Sequence, residues 1–99
     1  MPNQAIDFPW DKTSVTGTGT VVSRPCVLHS IIFNGMTTVG DVAIYDGTSA
    51  AGTLIGTLVL RTAVQVSCQP IVFLYDCEML TGIHMVFTDF VGNFTVTFR

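Results

Sequence analysis

Apolar and polar residues alternate in short runs along this chain, with the period of a half-buried β-strand. The clearest run is FTVTF, in which Phe94, Val96 and Phe98 alternate with threonines and are predicted to face the core. Val42 and Ile44 share one side of the run 39–45, and residues 63–68 alternate in the same way. No ten-residue stretch shows the 3.6-residue apolar period of a helix, so the sequence predicts strands throughout.

Other runs complete the pattern. CVLHSIIF, residues 26–33, is apolar on both faces, as a strand covered on both sides would be. TSVTGTGTVV, residues 13–22, is weakened by glycine and predicts an edge strand or the lead into one. With the shorter runs at 54–60, 71–75 and 83–88, the chain has about eight short strands separated by turn signals. This predicts an all-β domain, a compact β-sandwich of jelly-roll-like type.

Glycine, asparagine and aspartate mark the expected turns. Asn-Gly pairs favour positive φ and close tight hairpins, and the same chemistry is expected where the order is reversed. In the connection after Tyr45, an aspartate side chain is expected to cap the turn while the glycines take positive φ. The predicted turn residues are Asn34, Gly35, Asp46, Gly47, Gly52, Gly92 and Asn93.

The first residues differ from the rest of the chain. Pro2 and Pro9 discourage regular structure, while Ile6, Phe8 and Trp10 alternate as in an extended segment. The predicted organisation is an extended N-terminal arm, residues 1–12, followed by a single sandwich domain, residues 13–99. Exposed aromatic side chains would be costly, so the arm is expected to pack either on its own domain or on a neighbouring subunit.

Charge is scarce. Charged residues make up 11% of the chain and hydrophobic residues 48%, whereas about 25% of an ordinary soluble domain is charged. This favours an oligomer that hides part of its outer surface, over a monomer whose threonines supply the polarity. The net charge is −3 without a basic stripe, which argues against a nucleic-acid partner. No apolar run approaches the roughly 18 residues of a membrane span, and the first residues do not resemble a signal peptide, so synthesis without Sec export is expected.

The cysteines and histidines do not have the spacing of a metal site. Cys26 and His29 are three residues apart in a predicted strand and therefore point to opposite faces. His84, Cys68 and Cys77 provide no second close pair of ligands. Buried free thiols are favoured, while one disulfide stays open as an alternative, and neither a metal nor a cofactor is predicted.

The stretch GTSAAGT is the candidate for an enzymatic motif. Gly47 and Gly52 have the spacing of a phosphate-binding loop, but Thr53 stands where its lysine belongs and a β-rich run follows. The intervening serine lacks the second glycine of a hydrolase elbow. Asp76 and Glu78 are close in sequence, but beside a strand end they are expected to solvate a turn. The prediction is a protein that is not an enzyme.

Four segments together carry a family resemblance: RPCVLHSIIFN, VAIYDGTSAAGTLIGTL, IVFLYDCEMLTGIHMVFTD and the terminal FTVTFR. Over residues 22–99 the chain resembles small all-β virion proteins of tailed bacteriophages, such as capsid decoration (cement) or head-fibre-like domains. The resemblance implies a frequently trimeric structural protein on the capsid surface, bound to the major capsid protein or another virion protein. It implies no catalytic residues.

The expected function is therefore that of a capsid decoration protein, made in the bacterial host cytoplasm, that oligomerises on the phage head and stabilises it. The arm and the last two residues are expected to supply much of the contact. The candidate interface residues are Ile6, Phe8, Trp10, Phe98 and Arg99.

A receptor- or glycan-binding module of a phage tail, fibre or spike is the alternative. Sugar sites of this kind need an exposed aromatic platform beside polar side chains. Besides phenylalanine, Trp10, Tyr45 and Tyr75 are the aromatic candidates for such a platform.

Overall fold

The computed structural model describes residues 10–61 and 71–99. Every regular element in these residues is a β-strand. The strands are β1 Asp11–Val15, β2 Gly19–Val22, β3 Cys26–Thr38, β4 Gly40–Asp46, β5 Thr53–Leu60, β6 Ile71–Met79, β7 Ile83–Thr88 and β8 Val91–Phe98. The predicted strand at 63–68 lies outside the described residues.

The strands form two four-stranded sheets, with the order β1-β8-β3-β6 in sheet A and β2-β7-β4-β5 in sheet B. All strand pairs are antiparallel. Phe87 of β7 meets Phe94 of β8 edge-to-face, with ring centroids 5.8 Å apart, so the two sheets pack face to face. The predicted all-β sandwich is confirmed.

The core lies between the sheets and follows from the alternation along the strands. Val42, Ile44, Phe94 and Val96 are all fully buried, as their spacing predicts. Phe98 is half-buried and packs against the same cluster. Aromatic contacts at 5.4–6.2 Å between ring centroids join Phe33, Phe87, Phe90 and Phe94. Burial of each such side chain stabilises the fold by about 1.5–3 kcal/mol.

The structure corrects two predicted turns. Asn34 and Gly35 lie within β3, and Gly92 and Asn93 lie within β8. The two pairs face each other across the ladder, with Gly35 opposite Asn93 and a register shift just before Gly35. A Cβ on Gly92 would overlap the carbonyl oxygen of Gly35. Gly92 therefore permits a close approach of β8 to the bulged strand β3, and the chain reverses elsewhere.

The actual reversals lie beyond these pairs. Gly40 begins β4 one residue after the end of β3 at Thr38, and a Cβ on Gly40 would overlap the backbone of Thr88 and Phe90. Asp89, with φ of 62°, turns the chain from β7 in sheet B to β8 in sheet A. This connection links the two sheets, so it is not the hairpin that Gly92-Asn93 predicts.

The N-terminal boundary also shifts. Asp11 and Lys12, placed in the arm by the sequence, pair with Phe98 and Thr97 as the first residues of β1. The glycine-weakened run 13–22 divides into β1 and β2, which form the edges of different sheets. Both of its parts are therefore edge strands, as its composition predicts.

Candidate interaction surface

Two edge strands, β5 and β6, bound one side of the sandwich. Within residues 10–61 and 71–99, β5 pairs only with β4, and β6 pairs only with β3. Tyr75 of β6 reaches across to β5, where a Cβ on Gly56 would lie 3.2 Å from its hydroxyl oxygen. Burial at this contact raises the pKa of Tyr75. The two edges therefore lie together, and we call residues 53–60 and 71–79 the β5–β6 side.

The β5 strand is apolar and exposed. Its sequence, TLIGTLVL, contains neither charge nor proline. Leu54 is 53% exposed and Val59 is 69% exposed, while Ile55 is 36% exposed. Pairing with β4 skips Ile55, so a bulge lies near the start of β5 and residues 56–60 run regularly. Natural edge strands usually carry charged residues such as lysine, or proline, which lacks a backbone N–H, and these discourage pairing. The β5 strand has none of these.

The β6 strand has an apolar half and an acidic half. Val72 and Leu74 are 57% and 65% exposed at the beginning of the strand. Val72 pairs with Ile32 and Leu74 pairs with Ser30, so both side chains lie on the outer face of sheet A. Asp76 and Glu78 are exposed toward the other end of the strand. The uncovered apolar surface is thus concentrated in the first half of β6.

Charges at the end of β5 neutralise one another. Arg61 donates from Nε and Nη2 to the two carboxylate oxygens of Asp41, at 3.2 and 3.1 Å. Its Nη1 donates to Asp89 at 3.2 Å. These hydrogen bonds, first to Asp41 and then to Asp89, raise the pKa of Arg61. The cation that follows β5 is therefore engaged by its own chain.

Trp10 forms a stacked cluster on the outer face of sheet A. Its ring lies parallel to that of His29, with centroids 4.0 Å apart and an interplanar angle of 7°. The Nδ1 atom of His29 is hydrogen-bonded to the Asp76 carboxylate. The expectation that Asp76 solvates a turn is wrong, because it lies in β6, at φ 48°, beside a register shift opposite β3. Trp10, a predicted interface residue, is thus anchored on its own domain.

The other predicted interface residues have different positions. Arg99 exchanges two backbone hydrogen bonds with Val27, of 2.9 and 3.0 Å, which extend the sheet past β8. The half-buried ring of Phe98 has the Arg24 guanidinium 6.0 Å from its centroid. Both residues tie the end of the chain to its own sheet. Ile6 and Phe8 lie outside the described residues.

Asp46 fastens the end of β4 to the turn between β6 and β7. Its carboxylate accepts backbone hydrogen bonds from Leu80 and Thr81, both at 2.9 Å, and from Gly82 at 3.3 Å. These bonds, led by that from Leu80, lower the pKa of the Asp46 carboxyl. The sequence predicts that Asp46 caps the turn in which it lies. The structure shows that its carboxylate caps the β6–β7 turn instead.

The GTSAAGT stretch connects β4 to β5. Gly52 N–H donates to the Ser49 carbonyl at 3.1 Å, and Ala51 N–H donates to Ser49 Oγ at 3.2 Å. A Cβ on Gly47 would lie 2.9 Å from the Cα of Gly52. The expected positive φ is wrong, since none of the described glycines adopts it. Close packing of two backbone segments is what requires glycine here.

The cysteines and histidines remain apart. Cys26 is buried and Cys77 is half-buried, both as free thiols, and burial raises the pKa of each. Cys68 lies outside the described residues. His84 Nδ1 is hydrogen-bonded to Thr20 Oγ1 at 3.0 Å on sheet B, whereas His29 lies on sheet A. In the part of the chain that the structure describes, no three His, Cys, Asp or Glu side chains are grouped to bind a metal.

The three aromatic candidates for a sugar platform lie on three surfaces. Trp10 covers His29 outside sheet A. Tyr45 is half-buried beside His84 in sheet B, with ring centroids 6.5 Å apart. Tyr75 lies between the two edges, against Gly56. The structure therefore does not bring them together into one platform.

Comparisons of the chain with protein-family models, with curated proteins and with solved structures found no match. Residues 10–61 and 71–99 contain no helix long and apolar enough to cross a membrane. The β5–β6 side is the feature that sequence analysis missed. Its signal was the uncharged run TLIGTLVL followed by a second apolar run, but sequence alone does not show that both runs form neighbouring edges.

Proposed function

We propose that this chain is a non-enzymatic structural protein that works by association, through the uncovered apolar edges of the β5–β6 side. The observation that carries the proposal is the pair of neighbouring edge strands with four side chains more than half exposed. These are Leu54, Val59, Val72 and Leu74. Exposed apolar side chains on strand edges that lack charge are typical of sites of protein–protein interaction.

The energetics support association. Complete burial of a leucine or valine side chain contributes about 1.5–3 kcal/mol. Since these four side chains are a little more than half exposed, their further burial contributes roughly 1 kcal/mol each. Pairing of the edge strands also satisfies their backbone groups in the partner, with about 0.5–1.5 kcal/mol per hydrogen bond. Together these contributions are of the same order as the roughly 4–15 kcal/mol that association costs.

The resemblance extends the proposal to a capsid decoration protein of a tailed bacteriophage, which binds the major capsid protein and stabilises the head. Trp10 supports the expected role of the arm, because its stack on His29 holds residue 10 on the outer face of sheet A. The apolar residues Phe8 and Ile6 are two and four residues from Trp10 in the sequence, and an extended chain spans at most about 7 and 13 Å over those separations.

Capsid binding by a truncated chain tests this role. Removal of residues 1–9 leaves β1 intact, because β1 begins at Asp11. The full chain should co-sediment stoichiometrically with phage heads assembled without it, and the truncated chain should not, while its circular dichroism and thermal unfolding stay unchanged. A full chain that does not bind heads would contradict the assignment, and a truncated chain that binds equally well would contradict the role of the arm.

A further inference from the structure

We propose that the β5–β6 side pairs with the same side of a second copy of this chain about a two-fold axis perpendicular to the sheets, with Thr57 facing Thr57. This inference rests on the proposed function and names the partner of its surface. It predicts a dimer, in place of the trimer that the family resemblance implies. Each four-stranded sheet then continues into its counterpart and forms an eight-stranded sheet.

Symmetry makes this side suitable for self-pairing. A two-fold axis perpendicular to a sheet turns an edge strand into its own antiparallel partner, so one surface serves both copies. Because β5 and β6 are edges on the same side, a single axis pairs β5 with β5 and β6 with β6. Both uncovered edges are thereby satisfied in one contact, whereas pairing of β5 alone leaves the apolar half of β6 exposed.

The register follows from the exposed side chains of β5. Under two-fold symmetry, one residue of the strand must lie opposite its own copy. With Thr57 in that position, Val59 of each copy lies opposite Ile55 of the other. The aliphatic pair of Ile55 and Val59 therefore forms twice, once on each side of the axis. A Thr–Thr pair at the centre and aliphatic pairs on each side are favourable cross-strand neighbours. A shift of the axis to Leu58 places Val59 against Thr57 and Ile55 against Arg61, so the aliphatic pair is lost.

The charges are compatible with this pairing. The β5 strand carries none, so no like charges meet along it. In β6 the acidic residues Asp76 and Glu78 lie in the second half of the strand and Val72 lies in the first. Antiparallel pairing places the acidic half of one copy beside the apolar half of the other, which separates the carboxylates of the two copies. Like charges directly opposite each other would be destabilising.

The molar mass of the full chain tests the pairing. Sedimentation equilibrium should give twice 10.7 kDa, and Val59→Lys should weaken self-association at least tenfold, because it places a lysine beside the apolar side chains of the other copy. Val91→Lys is the matched control, since Val91 is also an exposed strand valine, at 54%, but lies on β8. It should leave the dimer unchanged.

Cross-linking tests the register. With Cys68 replaced by serine, Thr57→Cys should form an intermolecular disulfide on mild oxidation, because facing residues in an antiparallel pair have Cα atoms about 4.5–5.5 Å apart, within disulfide range. Thr53→Cys, at the start of the same strand, should not cross-link to itself, since its two copies are predicted to lie about 27 Å apart. Equal cross-linking of both variants, or none at position 57, would overturn the register.

The outcomes separate this inference from the proposed function. A wild-type trimer, or a dimer that Val59→Lys and Val91→Lys affect equally, overturns the pairing but leaves association and capsid binding standing. A Val59→Lys variant that stays dimeric overturns it as well. A monomer at all concentrations overturns the pairing, and failure of that monomer to bind phage heads contradicts the proposed function separately.

Discussion

The carboxylate of Asp46 stabilises the fold by holding the β6–β7 turn against the end of β4, and its removal gives a measurable loss. Asp46→Ala deletes two backbone hydrogen bonds of 2.9 Å and a longer one of 3.3 Å. Because the carboxylate is half-exposed, water replaces part of each bond, and we assign about 1 kcal/mol to each short one. The expected loss is therefore about 2 kcal/mol in the free energy of unfolding, or roughly 10 °C in Tm for a domain of this size.

The same contact makes stability depend on pH. The backbone donors favour the ionised carboxyl and lower its pKa in the folded state. Its contribution is therefore fully present above the unfolded pKa of about 3.9 and is lost as the pH falls through the lower folded value. Urea unfolding of the wild type and Asp46→Asn should differ by about 1 kcal/mol at pH 7 and converge in strong acid.

Asp11→Asn is the control, because Asp11 is an exposed aspartate on the edge strand β1. Its unfolding free energy should remain within about 0.5 kcal/mol of the wild type at neutral pH. A loss below 0.5 kcal/mol for Asp46→Ala, or a difference between the wild type and Asp46→Asn that persists unchanged at low pH, would refute the reasoning.

Three further predictions concern other parts of the fold. Gly82→Ala should destabilise by more than about 2 kcal/mol in denaturant titrations, because its Cβ would overlap a backbone carbonyl of β2, whereas Gly17→Ala, which points into open space, should be nearly neutral. His29→Ala should shift the fluorescence emission of Trp10 to longer wavelength and raise its acrylamide quenching, since the stacked ring is lost; an unchanged spectrum would contradict the stacking. The Cys26 thiol, whose pKa is raised by burial, should react with iodoacetamide at neutral pH only after unfolding, as peptide mass spectrometry can show.

The sequence predicts most of the sandwich because its period-2 alternation is strong. Val42, Ile44, Phe94 and Val96 face the core as their spacing indicates. Prediction failed where one pair of residue types is compatible with two backbone geometries, a hairpin turn and a bulged strand. An Asn-Gly pair favours a hairpin in isolation, but here it lies within the bulged strand β3, and the opposition of Gly35 to Asn93 is decided by tertiary pairing.

The interaction surface was less predictable. Low charge led to the expectation that a partner covers part of the surface, but it did not indicate which part. The location depends on contacts between distant residues, such as Tyr75 with Gly56 across the two sheets. The stack of Trp10 on His29, and the hydrogen bond from His29 to Asp76 47 positions away, depend on the fold in the same way. Sequence periodicity assigns faces within a strand, but it does not assign neighbours between sheets.

Hydrogen–deuterium exchange of the full chain, measured at residue level, tests most directly the claim that the chain associates through the β5–β6 side. The outward amides of β5 and β6 should be protected at high protein concentration and lose protection on dilution or in Val59→Lys. The edge strands β1 and β2 should exchange at the same rate in both conditions, because they lie on the opposite side of their sheets. Fast exchange of the β5 and β6 edges at all concentrations would contradict the account.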